Sequence, residues 1–178
     1  DNSLIPNCRW YSGAGIYRPV WLIVSAKDAP KTLRIVTRST SPAVIEVTAD
    51  EGAEVEIYDG ETLVCKGGAG EFTIPDAKLW SAETPHLYTA VARRGGEELK
   101  TTFGIRTVEC DPMRGFLING KRTLLRGGCI HHDNGVLGAC SYPDAEERRA
   151  RILKEQGFNA LRISHNPASR ALLDACDK

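Results

Sequence analysis

The sequence predicts a mainly β chain, an antiparallel sandwich followed by a short α/β stretch that opens a parallel sheet or barrel and stops after two strand–helix units. Three observations predict it. Short, partly alternating apolar runs follow one another from Val20 to about Phe103, glycine-bearing turn dipeptides separate several of them, and after Cys110 the order changes to strand, helix, strand, helix.

The first candidate strand is Val20-Trp-Leu-Ile-Val24. Thr32–Thr37, Ala43–Thr48, Glu54–Tyr58, Thr62–Cys65, Glu71–Ile74, Leu87–Val91 and Glu98–Phe103 follow at the spacing of an antiparallel sandwich. Asp59-Gly60 and Gly95-Gly96 fall between such runs, where glycine accepts the positive φ of a tight hairpin turn. Phe116-Leu-Ile, Asn119-Gly120 and Lys121-Arg-Thr-Leu-Leu predict another hairpin, with Thr123 to Ile130 continuing as the first strand of a new unit. Asp144, with Pro143 before it and Glu147 three positions later, predicts a capping box, and Gly157 a helix stop. Phe158–Ile163 is the next strand candidate, and Ser169 to Asp177 the second helix. A (β/α)8 barrel takes about 250 residues, so it cannot close within this span.

Composition narrows the function classes. With 178 residues, 42% of them hydrophobic, the chain can bury a real core. Equal numbers of basic and acidic residues, 23 of each, with no block of five like charges, argue against a nucleic-acid partner. The apolar runs are too short to span a bilayer, so no membrane partner is expected. The six cysteines are widely separated without a Cys-x-x-Cys pair, which predicts free thiols. The compartment stays open between cytoplasm and periplasm, free thiols favouring the cytoplasm.

The motifs are more specific than the periodicity. Arg9-Trp-Tyr-Ser-Gly-Ala-Gly-Ile-Tyr-Arg-Pro-Val-Trp-Leu22 is followed by Leu79-Trp80 with Glu83, Pro85, Leu87 and Tyr88, then Phe103-Gly-Ile-Arg106 and Phe116-Leu-Ile-Asn-Gly-Lys121. Arg126-Gly127, His131-His-Asp133, Gly138 and Asn159-Ala-Leu-Arg-Ile-Ser-His-Asn-Pro167 complete the series. In this order the segments resemble glycoside hydrolase family 2, the group of β-galactosidases, β-glucuronidases and β-mannosidases. The resemblance implies the tail of a sugar-binding jelly roll at residues 1–19, an immunoglobulin-like β-sandwich at 20–107, and the incomplete first βα units of a TIM barrel at 108–178. It also implies a retaining exo-β-glycosidase, most like a β-galactosidase, with a carbohydrate substrate. The two catalytic glutamates of the family would lie beyond Lys178, so this span is expected to be inactive. Gly128-Cys129-Ile130 and Asn166 depart from the family's commoner residues, which bears on the sugar more than on the family. A noncatalytic carbohydrate-binding or protein-interaction sandwich is the alternative.

His165 is the foremost candidate for a substrate contact, since it follows the strand Ala160 to Ile163 and residues at the C-terminal ends of barrel strands face the mouth. Arg162 and Arg126 are candidates to pair with catalytic carboxylates, with structural salt bridges the bland alternative. His131 and Asp133 are candidates for a pocket-rim or loop-ordering role near the end of the first strand. Successive residues His131, His132 and Asp133 point in alternating directions on extended chain, which disfavours a zinc site. No cofactor is expected within this span, a divalent or monovalent cation in the full enzyme and homo-oligomerisation being left open. Trp10, Tyr11 and Trp21 are expected in core packing or a domain seam, and Trp80 as an anchor of the sandwich. Gly13-Ala-Gly15 lacks the rest of a nucleotide-binding motif, and Ser164 lacks a nucleophile elbow.

Overall fold

A computed structural model describes Ile16 and residues 18–178. The chain divides into two compact units, one formed by residues 23–124 and the other by the described residues up to 22 together with 125–178.

The sandwich proper, within the first of these units, holds two antiparallel sheets. β1 (Leu33–Thr40), β2 (Ala43–Ala49) and β5 (Gly70–Thr73) form one in the order β1-β2-β5. β3 (Glu54–Asp59), β4 (Thr62–Gly67), β6 (Tyr88–Arg94) and β7 (Glu97–Phe103) form the other in the order β4-β3-β6-β7. Strand alternation sends Ala43, Ile45 and Val47 of β2 to the inner face, opposite Val55 and Ile57 of β3 and Tyr88, Ala90 and Ala92 of β6. Across the ladder Val55 faces Ala92 and Ile57 faces Ala90, so large side chains meet small ones and the layer closes without crowding.

The hairpins turn where glycine permits it. Gly95 and Gly96 have φ of 59° and 77° and join β6 to β7, while Gly60, at φ 59°, occupies the first loop position between β3 and β4. Outside the sheets, Trp80 is an anchor of the sandwich. Its backbone N–H donates to Ile105 O at 2.9 Å, and the Arg106 guanidinium lies 4.1 Å from its ring centroid. A Cβ on Gly104 would sit 2.6 Å from the Trp80 Cβ, so only glycine lets the indole lie there.

Val20 to Val24 forms no strand, and Trp21 is 79% exposed and is not a core residue here. An apolar run has strand propensity but becomes a strand only against a hydrogen-bonding neighbour, and this one has no ladder partner among the described residues. Trp10 and Tyr11 lie outside the described residues.

After the sandwich, β8 (Val108–Asp111), β9 (Gly115–Ile118) and β10 (Lys121–Arg122) make a small antiparallel meander, with the Asn119-Gly120 turn at φ 52° and 72°. It is tied down by Asn119, whose Nδ2 donates to Trp80 O at 3.0 Å while Oδ1 accepts from Thr107 N at 3.0 Å.

The second unit contains β11 (Gly127–Ile130) and β12 (Ala160–Ile163), parallel and in register, with α1 (Pro143–Glu155) between them and α2 (Arg170–Asp177) after β12. The strand starts four residues later than Thr123, at Gly127, where a Cβ would fall 2.1 Å from Ala160 O. Helix α1 also starts differently from its predicted cap. Tyr142 is the N-cap and Pro143 the first helical residue, because a ring-fixed φ and a missing N–H suit that position; Asp144 instead lies within the first turn. Gly157, at φ 85°, closes α1: Gly157 N donates to Lys154 O at 2.9 Å and Phe158 N to Leu153 O at 3.1 Å. Ser169 caps α2, accepting from Leu172 N at 3.2 Å. The antiparallel sandwich and the unclosed parallel start give the mainly β fold class that the sequence predicts.

Candidate functional site

Parallel pairing places both strand C-termini at one end. His131 follows β11 and His165 follows β12, and their rings meet edge to face with centroids 5.6 Å apart. His165 is exposed and His131 half-buried. Two imidazoles presented by adjacent strand ends can donate and accept hydrogen bonds toward a polyol.

Beneath them, Arg162 lies opposite Cys129 in the ladder and turns toward its neighbours. Its Nη1 donates to Ser164 Oγ at 2.5 Å and lies 3.6 Å from Cys129 Sγ. The Ser164 hydroxyl and then the Arg162 guanidinium hold the Cys129 thiol below its ordinary pKa, since both stabilise the thiolate. Ser164 itself is 2% exposed, so this polar group belongs to the interior of the unit.

The loop after β11 is shaped from helix α1. Arg149 donates to His131 O at 3.3 Å and also to Asp133 O and Asn134 Oδ1. Glu146, 5% exposed, accepts from Ser141 Oγ at 3.0 Å and lies 3.7 Å from the Arg149 guanidinium. Asn134 Nδ2 closes the loop on Cys140 O at 2.8 Å. Asp133 therefore belongs to this loop through its carbonyl.

His132 points to a different partner. Arg18 Nη2 lies 3.1 Å from His132 Nδ1. Burial first, then the Arg18 charge, push the His132 pKa down.

Of the residues singled out in the sequence, the structure brings His131 and His165 into contact, with Arg162 within β12 three residues before His165. Arg126 lies at the other end, ahead of β11, where its N–H donates to Asn159 Oδ1 at 2.7 Å and its Nε to Gly157 O at 3.2 Å. Arg18, Glu146 and Arg149 escaped sequence reasoning, Arg18 because its partners are about 115 to 150 residues away along the chain. The Arg149 and Glu146 spacing on a helix offered a weak signal, a charged i,i+3 pair. Among the described residues no group of three or more His, Cys, Asp or Glu side chains is placed to hold a metal ion, and the five described cysteines are free.

An antiparallel β-sandwich followed by the unclosed start of a parallel strand–helix sheet defines the class of fold. Residues 20–106 match Glycosyl hydrolases family 2, and residues 111–178 match Glycosyl hydrolases family 2, TIM barrel domain. The chain belongs to glycosyl hydrolase family 2. It is 34% identical to a β-galactosidase of Bacteroides ovatus, over 100% of this chain and 25% of that protein. A putative β-glucuronidase of Formosa agariphila is 32% identical over 100% of this chain and 20% of its own length. Among solved structures, a glycosyl hydrolase family 2 member from Bacteroides cellulosilyticus DSM 14838 has a TM-score of 0.84 at 37% identity, covering 96% of this chain and 28% of that one. The β-D-glucuronidase of Dictyoglomus thermophilum has a TM-score of 0.85 at 26% identity, over 94% and 31%. The chain thus spans about a quarter of the length of the curated relatives it matches.

Proposed function

We propose that this chain is the sandwich and barrel opening of a retaining exo-β-glycosidase, β-galactosidase-like, that hydrolyses terminal non-reducing β-glycosides, and that the 178 residues alone do not cleave them. The observation that carries the proposal is the contact of His131 with His165 at the C-terminal ends of two parallel strands, within the part that matches the family's barrel domain. The 34% identity to a β-galactosidase favours galactosides, with glucuronides next.

Retention requires two carboxyl groups about 5–5.5 Å apart, one the nucleophile and one the acid/base. Three carboxylates of this barrel unit are engaged elsewhere: Glu146 with Ser141 and Arg149, Glu155 with Arg151, and Asp174 with Arg170. In the reading proposed here, His165 and His131 orient the sugar through its hydroxyls, strengthening those hydrogen bonds as charge develops at the reacting carbon. Arg162 supplies fixed positive charge beneath them, which favours the ionised form of a carboxylate brought near by later strands. Asp133 shapes the rim, and Arg126 secures the opposite end of the strands.

The test is to assay this chain and the longer product of its gene side by side on nitrophenyl β-galactoside, β-glucuronide and β-mannoside. Turnover by the longer product alone, fastest on the galactoside, is expected. Turnover by the short chain that disappears when one of its own carboxylates is changed would overturn the proposal.

A further inference from the structure

Arg18 reaches the strand-end loops from a segment remote in sequence. Its Nη2 lies 3.1 Å from His132 Nδ1 and donates to Pro167 O at 2.6 Å, while Nη1 donates to Ala168 O at 3.4 Å. One planar cation therefore contacts a side chain of the loop after β11 and two carbonyls of the loop after β12. A guanidinium can serve several acceptors lying in its plane, whereas a lysine ammonium is a point charge on a flexible stem.

The contacts lie beside the two imidazoles. His131 directly precedes His132, and His165 stands two residues before Pro167. We propose that Arg18 is a positioning residue for the His131 and His165 pair, tying the loop after β11 to the loop after β12. Its consequence for catalysis rests on the glycosidase reading above; the tie itself does not.

The chemistry of the tie makes it depend on His132. Arg18 can only donate, so Nδ1 must accept, which requires a neutral imidazole with its proton on Nε2. The charged and titratable groups facing His132 are Arg18, His131, and Glu146 and Arg149 of α1. Burial, Arg18, His131 and Arg149 favour the neutral ring, and Glu146 opposes them. Acidification through the lowered His132 midpoint places a proton on Nδ1 and opens the tie, freeing the two loops from each other.

Ring-resolved NMR of this chain with labelled histidine tests the proposal without any turnover. The wild type is expected to show His132 with Nε2 protonated and a cross-peak between the His131 and His165 rings, lost on acidification together with the His132 tautomer. Arg18→Met should abolish the cross-peak and move the His132 midpoint upward, Arg18→Lys should weaken the cross-peak, and Arg151→Met, on an exposed ion pair of α1, should leave it unchanged. His132→Asn breaks the same tie from the other side and is expected to lose the cross-peak, which keeps the test available should Arg18→Met fail to fold by circular dichroism. A full cross-peak in either folded variant overturns the proposal. In the longer product, Arg18→Met should lower kcat/KM on the preferred glycoside by about 10²-fold with little change in unfolding temperature, the scale of a small misplacement of contact groups. Unchanged kcat/KM would overturn the positioning role, whereas a wild-type product that cleaves no glycoside would sink the glycosidase reading and leave the NMR outcome to decide the tie.

Discussion

The sandwich and the barrel opening solve the burial problem with different chemistry. In the sandwich, Ile45, Val55, Ile57, Ala90, Ala92 and Ile105 are each 0% exposed and form one apolar layer between two sheets. In the other unit the buried set among the described residues is Leu172, Glu146 and Ser164, two of the three polar. Apolar burial is non-directional and tolerates many neighbours, so it holds a scaffold. A buried carboxylate or hydroxyl must find partners at set angles, and those partners, Arg149, Ser141 and Arg162, are the groups that shape the strand-end loops. The difference teaches that the candidate site sits where order depends on directed polar contacts, and that the sandwich contributes stability.

Changes on the two sides should therefore separate stability from activity. Ile57→Ala is expected to lower the unfolding free energy by roughly 2–5 kcal/mol, because the side chain is wholly buried between Cys65 and Ala90 and its loss leaves a cavity. Denaturant unfolding checks this, and a loss under 1 kcal/mol, on the order of an exposed site, would break the comparison.

His165→Ala should do the reverse. In the longer product it is expected to reduce kcat by about 10²-fold, by analogy with removing one donor that strengthens in the transition state, while the unfolding curve barely moves because the ring is exposed. Unchanged kinetics in a folded variant would remove His165 from the site.

Ser169→Ala tests a local contribution in the second unit. The serine caps α2 through Leu172 N, and its loss is expected to cost about 1 kcal/mol, seen as faster amide exchange at the start of the helix.

The smallest effect concerns acid. Glu56, on the outer face of the four-stranded sheet, has its pKa lowered from 4.5 to about 2, first by the Tyr58 hydroxyl and then by Lys66 and Arg93. The unfolded chain binds the proton more readily, so this contribution is present above about 4.5 and is lost as pH falls toward 2. Glu56→Gln should flatten the pH dependence of stability within that window and leave it unaltered near neutrality.

Much of the fold was legible because its signals are local. Asp59-Gly60, Gly95-Gly96 and Asn119-Gly120 carry the positive φ of their turns in their own residue types, and alternation in Ala43–Val47 names the inward face without any partner. Gly157 and Ser169 likewise end one helix and cap the other by backbone rules that act within a turn. The start of α1 was misplaced because two local rules competed, and proline's preference for the first helical position prevailed over the cap that Asp144 offered.

What the sequence by itself determined was the mainly β class, the passage from sandwich to parallel strands, and the placing of His131 and His165 after strands. Tertiary structure decided which charged groups meet. Pairing β11 with β12 in parallel brought the two imidazoles together and put Arg126 at the far end, and it set Arg162 beside Cys129. Arg18 acquired its place only when the chain brought it back to His132 and Pro167. A guanidinium's partners depend on distances that only the folded chain sets, whereas a turn or an alternating strand is specified by the conformational limits of the few residues that make it.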